Sequence, residues 1–197
     1  MVFIVDGSKQ VGVQTFKLLK DFVKQIVHAF QVTTQATRVG LAEISDTGQI
    51  AFNLDQYNEI DLLDKAIDAT NLAGGSRMTG QGVTSIYASI FQASGRRGLV
   101  PQVAVVVVTG KSLDDIASVG ASLRKAKLTT IVVSAGQDVD KKQAKDLAAS
   151  SGDVITKEDV TKLPTVVRSV VFRINKGVWG VTLIIYLPYS PTYLLLI

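Results

Sequence analysis

The chain has 197 residues, enough for one α/β domain with a large core, and its 47% apolar against 19% charged residues exclude a disordered segment. Its net charge of +4 comes from lysines and arginines scattered among acids, which argues against the clustered basic stripe of a nucleic-acid binder. It has no cysteine, which excludes disulfides, thiol catalysis and cysteine-ligated zinc within this chain, and it has no Asn-x-Ser/Thr acceptor for glycosylation.

Met1 leads directly into an apolar run, Val2-Phe3-Ile4-Val5, with no basic region or small-residue cleavage site before it. The run reads as a buried strand, and the abrupt start reads as a fragment or an incomplete gene model. Phe16, Leu19, Phe22, Val23, Ile26, Val27 and Phe30 recur at helical spacing, predicting an amphipathic helix over 11–30. Residues 38–45 and 49–54 are short strand candidates, and the Asp46-Thr47-Gly48 turn between them predicts a hairpin. Ile60, Leu63, Ala66 and Ile67 mark a second helix, residues 74–80 a glycine-rich loop and residues 81–93 a third helix.

The run Val103 to Val108 is apolar on both faces and β-branched, as a central parallel strand must be. Beyond it the pattern predicts a helix over 113–126, a buried strand over 128–134, a helix over 140–149 and a short strand at Val154 and Ile155. A closing helix over 160–174 carries Pro164 near its first turn. The fold class is therefore α/β: a doubly wound, mostly parallel central sheet with one antiparallel edge strand and helices on both faces.

After Gly177 the chain reads VWGVTLIIYLPYSPTYLLLI, apolar and without charge. It is long enough for a membrane span, but Pro188 and Pro191 each remove a backbone donor. The reading is a domain over 1–176 and a tail over 177–197. The tail is either a non-native extension or a span, and it is prone to aggregate if exposed. Trp179 and the tail tyrosines form no base-stacking pattern.

The chemistry concentrates after the first strand. In open α/β sheets ligands bind beyond the carboxyl ends of the strands. There the chain places Asp6, Gly7 and Ser8, an acid and a hydroxyl at the spacing of an Asp-x-Ser-x-Ser cation site. The position that would complete that site is Gln10. Enzyme readings fare worse. Gly110-Lys111-Ser112 follows a strand as in a phosphate-binding loop, but the glycine required five residues earlier is Val105. Gly74-Gly75-Ser76 precedes a helix and reads as a tight loop rather than an anion site. His28 is the only histidine and lies on the first helix, away from these loops, so neither a histidine metal site nor a Ser-His-Asp triad is expected.

Four segments together resemble the von Willebrand factor type A domain, and most nearly the N-terminal A-type modules of collagen VI alpha chains. They are VFIVDGS at 2–8, RVGLAEIS at 38–45, LAGGSRMTGQGV at 72–83 and VAVVVVTGKSLDDI at 103–116. Matrilins are a further group with similar modules. The resemblance spans residues 1–176 and implies a site for Mg²⁺ or Mn²⁺ built from an Asp-x-Ser-x-Ser motif, a threonine and an aspartate. One coordination position would stay open for a partner's carboxylate. Asp6 and Ser8 match that pattern. Gln10 departs from it but keeps an amide oxygen. The threonine loop, usually Gly-Gly-Ser-Thr-x-Thr-Gly, has Arg77 where the liganding threonine belongs, while Thr79 matches the second threonine, which is not the usual ligand. The third loop, usually Thr-Asp-Gly-Lys-Ser, reads Thr109-Gly110-Lys111-Ser112 and has lost its aspartate. Asp114 and Asp115 follow and read as the acidic first turn of the next helix.

Arginine has no lone pair to give, and its charge repels a divalent cation. The expectation is a degenerate site of Asp6, Ser8 and Gln10, with Arg77 in the cation's place, paired to Asp6. The resemblance implies a secreted, non-catalytic module of the extracellular matrix. Its expected partners are collagens or neighbouring A domains, bound largely without metal. One alternative is a Mg²⁺- or Mn²⁺-dependent receptor using the partial site. A remote alternative is an intracellular enzyme on the same fold.

Overall fold

A computed structural model describes residues 1–92 and 100–179. Six strands form one sheet: β1 (Val2–Asp6), β2 (Gly40–Ile44), β3 (Gly48–Phe52), β4 (Val103–Val108), β5 (Thr129–Ala135) and β6 (Val154–Lys157). Their order across the sheet is β3-β2-β1-β4-β5-β6. Every neighbouring pair is parallel except β2 and β3, which form the expected hairpin, with Ile44 opposite Gly48. The helices are α1 (Gly12–Val27), α2 (Ile60–Ala69), α3 (Thr79–Ile86), α4 (Ala117–Lys125), α5 (Lys141–Leu147) and α6 (Val167–Trp179).

Strand side chains alternate between two cores, as their period of two requires. Phe3, Val5, Val103, Val105, Val107, Ile131 and Val133 face α1, α2 and α6. They pack there with Phe16, Phe22, Leu63, Ile67, Val170 and Ile174. Val2, Ile4, Ala104, Val106, Val108 and Val132 face α3, α4 and α5. On that side they meet Val83, Ile86, Leu123, Ala144 and Leu147. A strand with a helical layer on each face has no polar side, which explains the unbroken valine run of β4.

Several element bounds differ from the sequence expectations. The first helix closes at Val27, not at residue 30. The amides of Ala29 and Phe30 reach only to the Ile26 and Val27 carbonyls, so the end tightens into short turns. The third helix starts two residues early, at Thr79, and its α geometry ends at Ile86. It continues as a π-helical turn over Tyr87–Gln92, and residue 93 of the expected helix lies outside the described residues. The helix expected over 113–126 begins only at Ala117. The closing helix opens as a 3₁₀ stretch over Val160–Val166 around Pro164, which lacks the amide for an α-type bond. The tail expectations fall largely on residues 180–197, outside the described residues. Among the described residues no helix is long and apolar enough to cross a membrane.

The order of the strands matters for function. From β1 the chain winds first to β2 on one side and later to β4 on the other. The crevice between the carboxyl ends of β1 and β4 is therefore the topological switch point, where such folds place their ligands. Asp6 ends β1 there, and Thr109 follows β4.

Candidate functional site: an arginine against the buried acid

Asp6 is fully buried. Its Oδ1 accepts from the Ser8 amide at 3.1 Å and the Ser8 hydroxyl at 2.7 Å. Its Oδ2 accepts from Arg77 Nε at 2.6 Å, the Thr109 hydroxyl at 2.7 Å and the Thr109 amide at 3.3 Å. Arg77 Nη2 also donates to the Thr109 hydroxyl, at 3.2 Å. The side chains of the ion pair are 12% and 0% exposed for Arg77 and Asp6. Gly110 makes room for the guanidinium: a Cβ there would lie 2.9 Å from Arg77 Cζ, closer than side chains pack.

The segment that delivers Arg77 is tied down along its length. Gly74 N–H donates to the Gly7 carbonyl at 2.8 Å, and Lys9 N–H donates to the Gly75 carbonyl at 3.0 Å. The Ser76 amide donates to Asp46 Oδ1 at 2.8 Å, and the Met78 amide to the Ser45 carbonyl at 3.1 Å. Gly74 and Gly75 have φ of +79° and +73°, a left-handed pair that side chains with a Cβ disfavour. The glycines of this loop therefore shape the backbone that carries Arg77 to Asp6.

The third loop corrects the reading of Asp114. Asp114 does not start its own helix. Its two oxygens accept from the amides of Gly80 at 3.0 Å and Gln81 at 2.6 Å, at the N-terminus of α3. The Ser112 hydroxyl accepts from the Thr79 amide at 2.9 Å and donates to Asp114 at 2.5 Å. Met78, the residue before α3, supplies no side-chain cap of its own, so the cap comes from a loop more than thirty residues away in sequence. Asp115 stays near the expected role, accepting from the Ala117 amide at 3.0 Å at the start of α4. Removing the cap by Asp114→Ala is expected to cost about 1–2 kcal/mol, measured as a lower urea midpoint with an unchanged slope. Asp114→Asn should recover part of it.

The remaining sequence candidates take no part in the network around Asp6. Gln10 is exposed in the turn before α1. Thr79 is buried, and its hydroxyl has no hydrogen-bond partner. It lines a cavity of about 10 Å³ with Gly110, Ser112, Asp140 and Gln143, room for one water at most. Asp140 itself caps α5. The amides of Gln143 and Lys142 hold its carboxyl below the usual range. His28 lies exposed at the far end of α1, with Nε2 2.8 Å from Asp64 Oδ2.

The donor set does not fit a divalent cation. A carboxylate offers about four lone-pair sites, and donors from Ser8, Thr109 and Arg77 already fill those of Asp6. The one formal negative charge is matched by the guanidinium. The Ser8 hydroxyl spends its proton on Asp6 but keeps its lone pairs, a single neutral oxygen, and Gly110 has no side chain. Among the described residues no group of three or more His, Cys, Asp or Glu is placed to hold a metal.

An open sheet whose strand order reverses between β1 and β4, with three loops converging on one buried acid, defines a doubly wound α/β domain that presents its site at the switch point. The profile of the von Willebrand factor type A domain matches residues 1–169, and the chain belongs to that family. It is 30% identical over 148 residues to the collagen alpha-1(XXI) chain of Xenopus laevis, covering 75% of this chain and 15% of that one. It is 33% identical over 146 residues to the collagen alpha-4(VI) chain of Mus musculus, covering 72% and 6%. To matrilin-4 of Homo sapiens it is 33% identical over 144 residues, covering 71% and 23%. The chain thus spans less than a quarter of the length of each of these relatives.

Among solved structures it superimposes on proximal thread matrix protein 1 from the mussel byssus, which has a zinc-occupied MIDAS motif. The TM-score is 0.80 at 22% identity, over 88% of this chain and 44% of that one. Manganese-loaded TRAP protein of Plasmodium vivax matches with a TM-score of 0.69 at 10% identity, over 86% and 72%. At these identities the likeness shows the fold alone.

Proposed function

We propose that this domain is a non-catalytic protein–protein interaction module of a secreted extracellular-matrix protein, acting in assembly or adhesion largely without metal. The observation that carries the metal-independent part is the Arg77 guanidinium 2.6 Å from a buried Asp6, where the family pattern places a cation ligand. The matrix setting is supported by the collagens and matrilins among the relatives. Collagens and neighbouring A domains are the partner classes that follow, and nothing in the charge distribution favours nucleic acid. The non-catalytic reading is supported by the single histidine standing at α1's far end and by a switch-point acid whose lone pairs are already satisfied.

The test has two arms. In the first, the chain is immobilised and soluble collagens and recombinant A domains are passed over it, with Mg²⁺ and then with chelator. Binding that survives the chelator is expected; binding abolished by it would overturn the metal-independent reading, and no binding to either class would overturn the partner assignment. In the second, thermal unfolding is followed with millimolar Mg²⁺ or Mn²⁺. A ligand at a hundred times its dissociation constant stabilises by about 2.7 kcal/mol. No rise in Tm is expected here; a rise of several degrees would mean that a cation displaces Arg77.

A further inference from the structure

A second acid lies close to the switch point, on the other face of the sheet. Glu43 occupies the middle of β2, two residues beyond the core residue Leu41, and is only 4% exposed. The single hydrogen bond of its carboxylate among the described residues comes from the Ala73 amide, which donates to Oε2 at 2.9 Å. The carboxylate lies against Gly7, the residue between Asp6 and Ser8. A Cβ on Gly7 would come within 2.9 Å of Glu43 Cβ, so only glycine leaves room for it. Gly7 in turn accepts from the Gly74 amide. Glu43 is therefore the floor on which the start of the Arg77 segment rests.

We propose that Glu43 is a proton-operated fastener: its protonated form holds segment 73–77, with Arg77 on it, against the sheet, and its ionised form favours release of that segment. The argument is one of solvation. With the segment down, Glu43 keeps only 4% of its surface exposed and has one backbone donor for a full negative charge. With the segment lifted, the carboxylate is hydrated.

The surroundings offer little other compensation. From α1 the relevant cation is Lys20, whose Nζ is committed to the Asp68 and Thr70 carbonyls at 2.7 and 3.0 Å. Also on α1, Lys24 pairs with Asp21 and with Asp68 of α2, and just past the end of α1 His28 meets Asp64 of α2. In the hairpin turn, Asp46 holds the Ser76 amide, and β3 brings the uncharged Gln49. From β1, Asp6 is already matched by Arg77. Residues 70–76 carry no ionisable group. Burial accordingly raises the Glu43 carboxyl from 4.5 to about 7, with the Ala73 amide and Lys20 pulling weakly the other way.

The sign follows directly. An acid whose value is raised in the closed state binds its proton more tightly there, so acid closes the segment and base releases it. The change runs through the window from 4.5 to about 7 and levels off above it. Between pH 5 and pH 8 the ratio of open to closed segment should rise by roughly 70-fold, the ratio of the two titration curves with these end values.

Amide hydrogen exchange, corrected for the intrinsic pH dependence of exchange, reads this ratio at Ala73, Gly74, Ser76 and Met78. In the wild-type chain these amides should be less protected than those of β4, and their protection should fall as the pH rises from 5 to 8. In Glu43→Gln the fall should vanish, while in His28→Gln, which removes the only histidine of the chain, it should persist. A flat wild-type profile overturns the proposal. So does a fall retained in Glu43→Gln, or loop protection equal to that of β4, which would mean that the segment opens only when the whole domain unfolds. Should Glu43→Gln fail to fold, the carboxyl carbon of Glu43 can be titrated by NMR in the wild-type chain. A midpoint near 7 shared with the Gly74 and Ser76 amides supports the fastener, and a midpoint near 4.5 overturns it.

Discussion

Arg77→Ala is expected to destabilise the domain by about 3–5 kcal/mol, the usual cost of stranding one partner of a buried ion pair. The size follows from the asymmetry of the pair. Asp6 is fully buried at the end of β1 and cannot turn to water without unravelling a strand bonded on both sides. The Ser8 and Thr109 donors would remain, and they soften the loss without supplying charge. For a domain of this size each kcal/mol moves Tm by about 2–4 °C, so a drop of roughly 6–20 °C is expected.

Arg77→Lys should fall between the two. It keeps the charge but loses the planar fork that reaches Asp6 and Thr109 together. Replacing both partners, as Asp6→Asn with Arg77→Met, should cost less than Arg77→Ala alone, because nothing charged is then left behind. Urea titration of the wild type and the three variants measures these losses. A loss below about 1 kcal/mol for Arg77→Ala would place the pair among solvent-screened surface contacts.

The second large effect is expected away from the site, at Gly120. In an exposed helix, glycine to alanine stabilises by up to about 1 kcal/mol. In α4 the sign should reverse. A Cβ on Gly120 would overlap the Asp146 carbonyl oxygen and lie 2.7 Å from its carbon and 3.0 Å from Leu147 Cα. These are backbone atoms of α5 and cannot rotate aside. Arg124 donates to that same carbonyl at 2.7 Å and to Ala148's at 2.9 Å, so a wedge between the helices would disturb those bonds as well. Gly120→Ala should therefore cost at least the ~1–3 kcal/mol typical of overpacking. Gly152→Ala is the matched control. Its Cβ would meet only the Ser150 hydroxyl, at 3.7 Å, and its midpoint should barely move.

The parts of the fold that depend on local pattern were legible. A valine run apolar on both faces is β4, and Phe16, Leu19, Phe22, Val23 and Ile26 at helical spacing are α1's buried stripe. So was the altered ligand set, because it consists of residue types at motif positions: an acid and a hydroxyl at 6 and 8, an arginine at 77 and an acid missing beside Gly110. Roles that depend on distant partners were not legible. Asp114 stands before a helical pattern, and sequence spacing alone favours its own helix over α3, whose amides lie more than thirty residues back. Thr109 bonds to Asp6 across 103 residues of chain. Glu43 interrupts an apolar strand in a way that looks like a solvent-facing position. Only the covering loop, contributed from residues 70–76, makes it interior. The helix bounds slipped for a related reason. Pro164 and the turns after Val27 change the type of winding without changing the apolar period.

The positive charge beside Asp6 is part of the polypeptide, and this alters its thermodynamics. A metal ion held from solution has an occupancy set by its free concentration, so it can be competed away, chelated or diluted. A guanidinium delivered on a short, glycine-shaped loop acts at an effective concentration fixed by the chain. Only movement of that loop can lower it. On the metal-independent reading proposed above, a partner at this rim of the sheet would meet the same electrostatic surface whether divalent ions around it are scarce or plentiful.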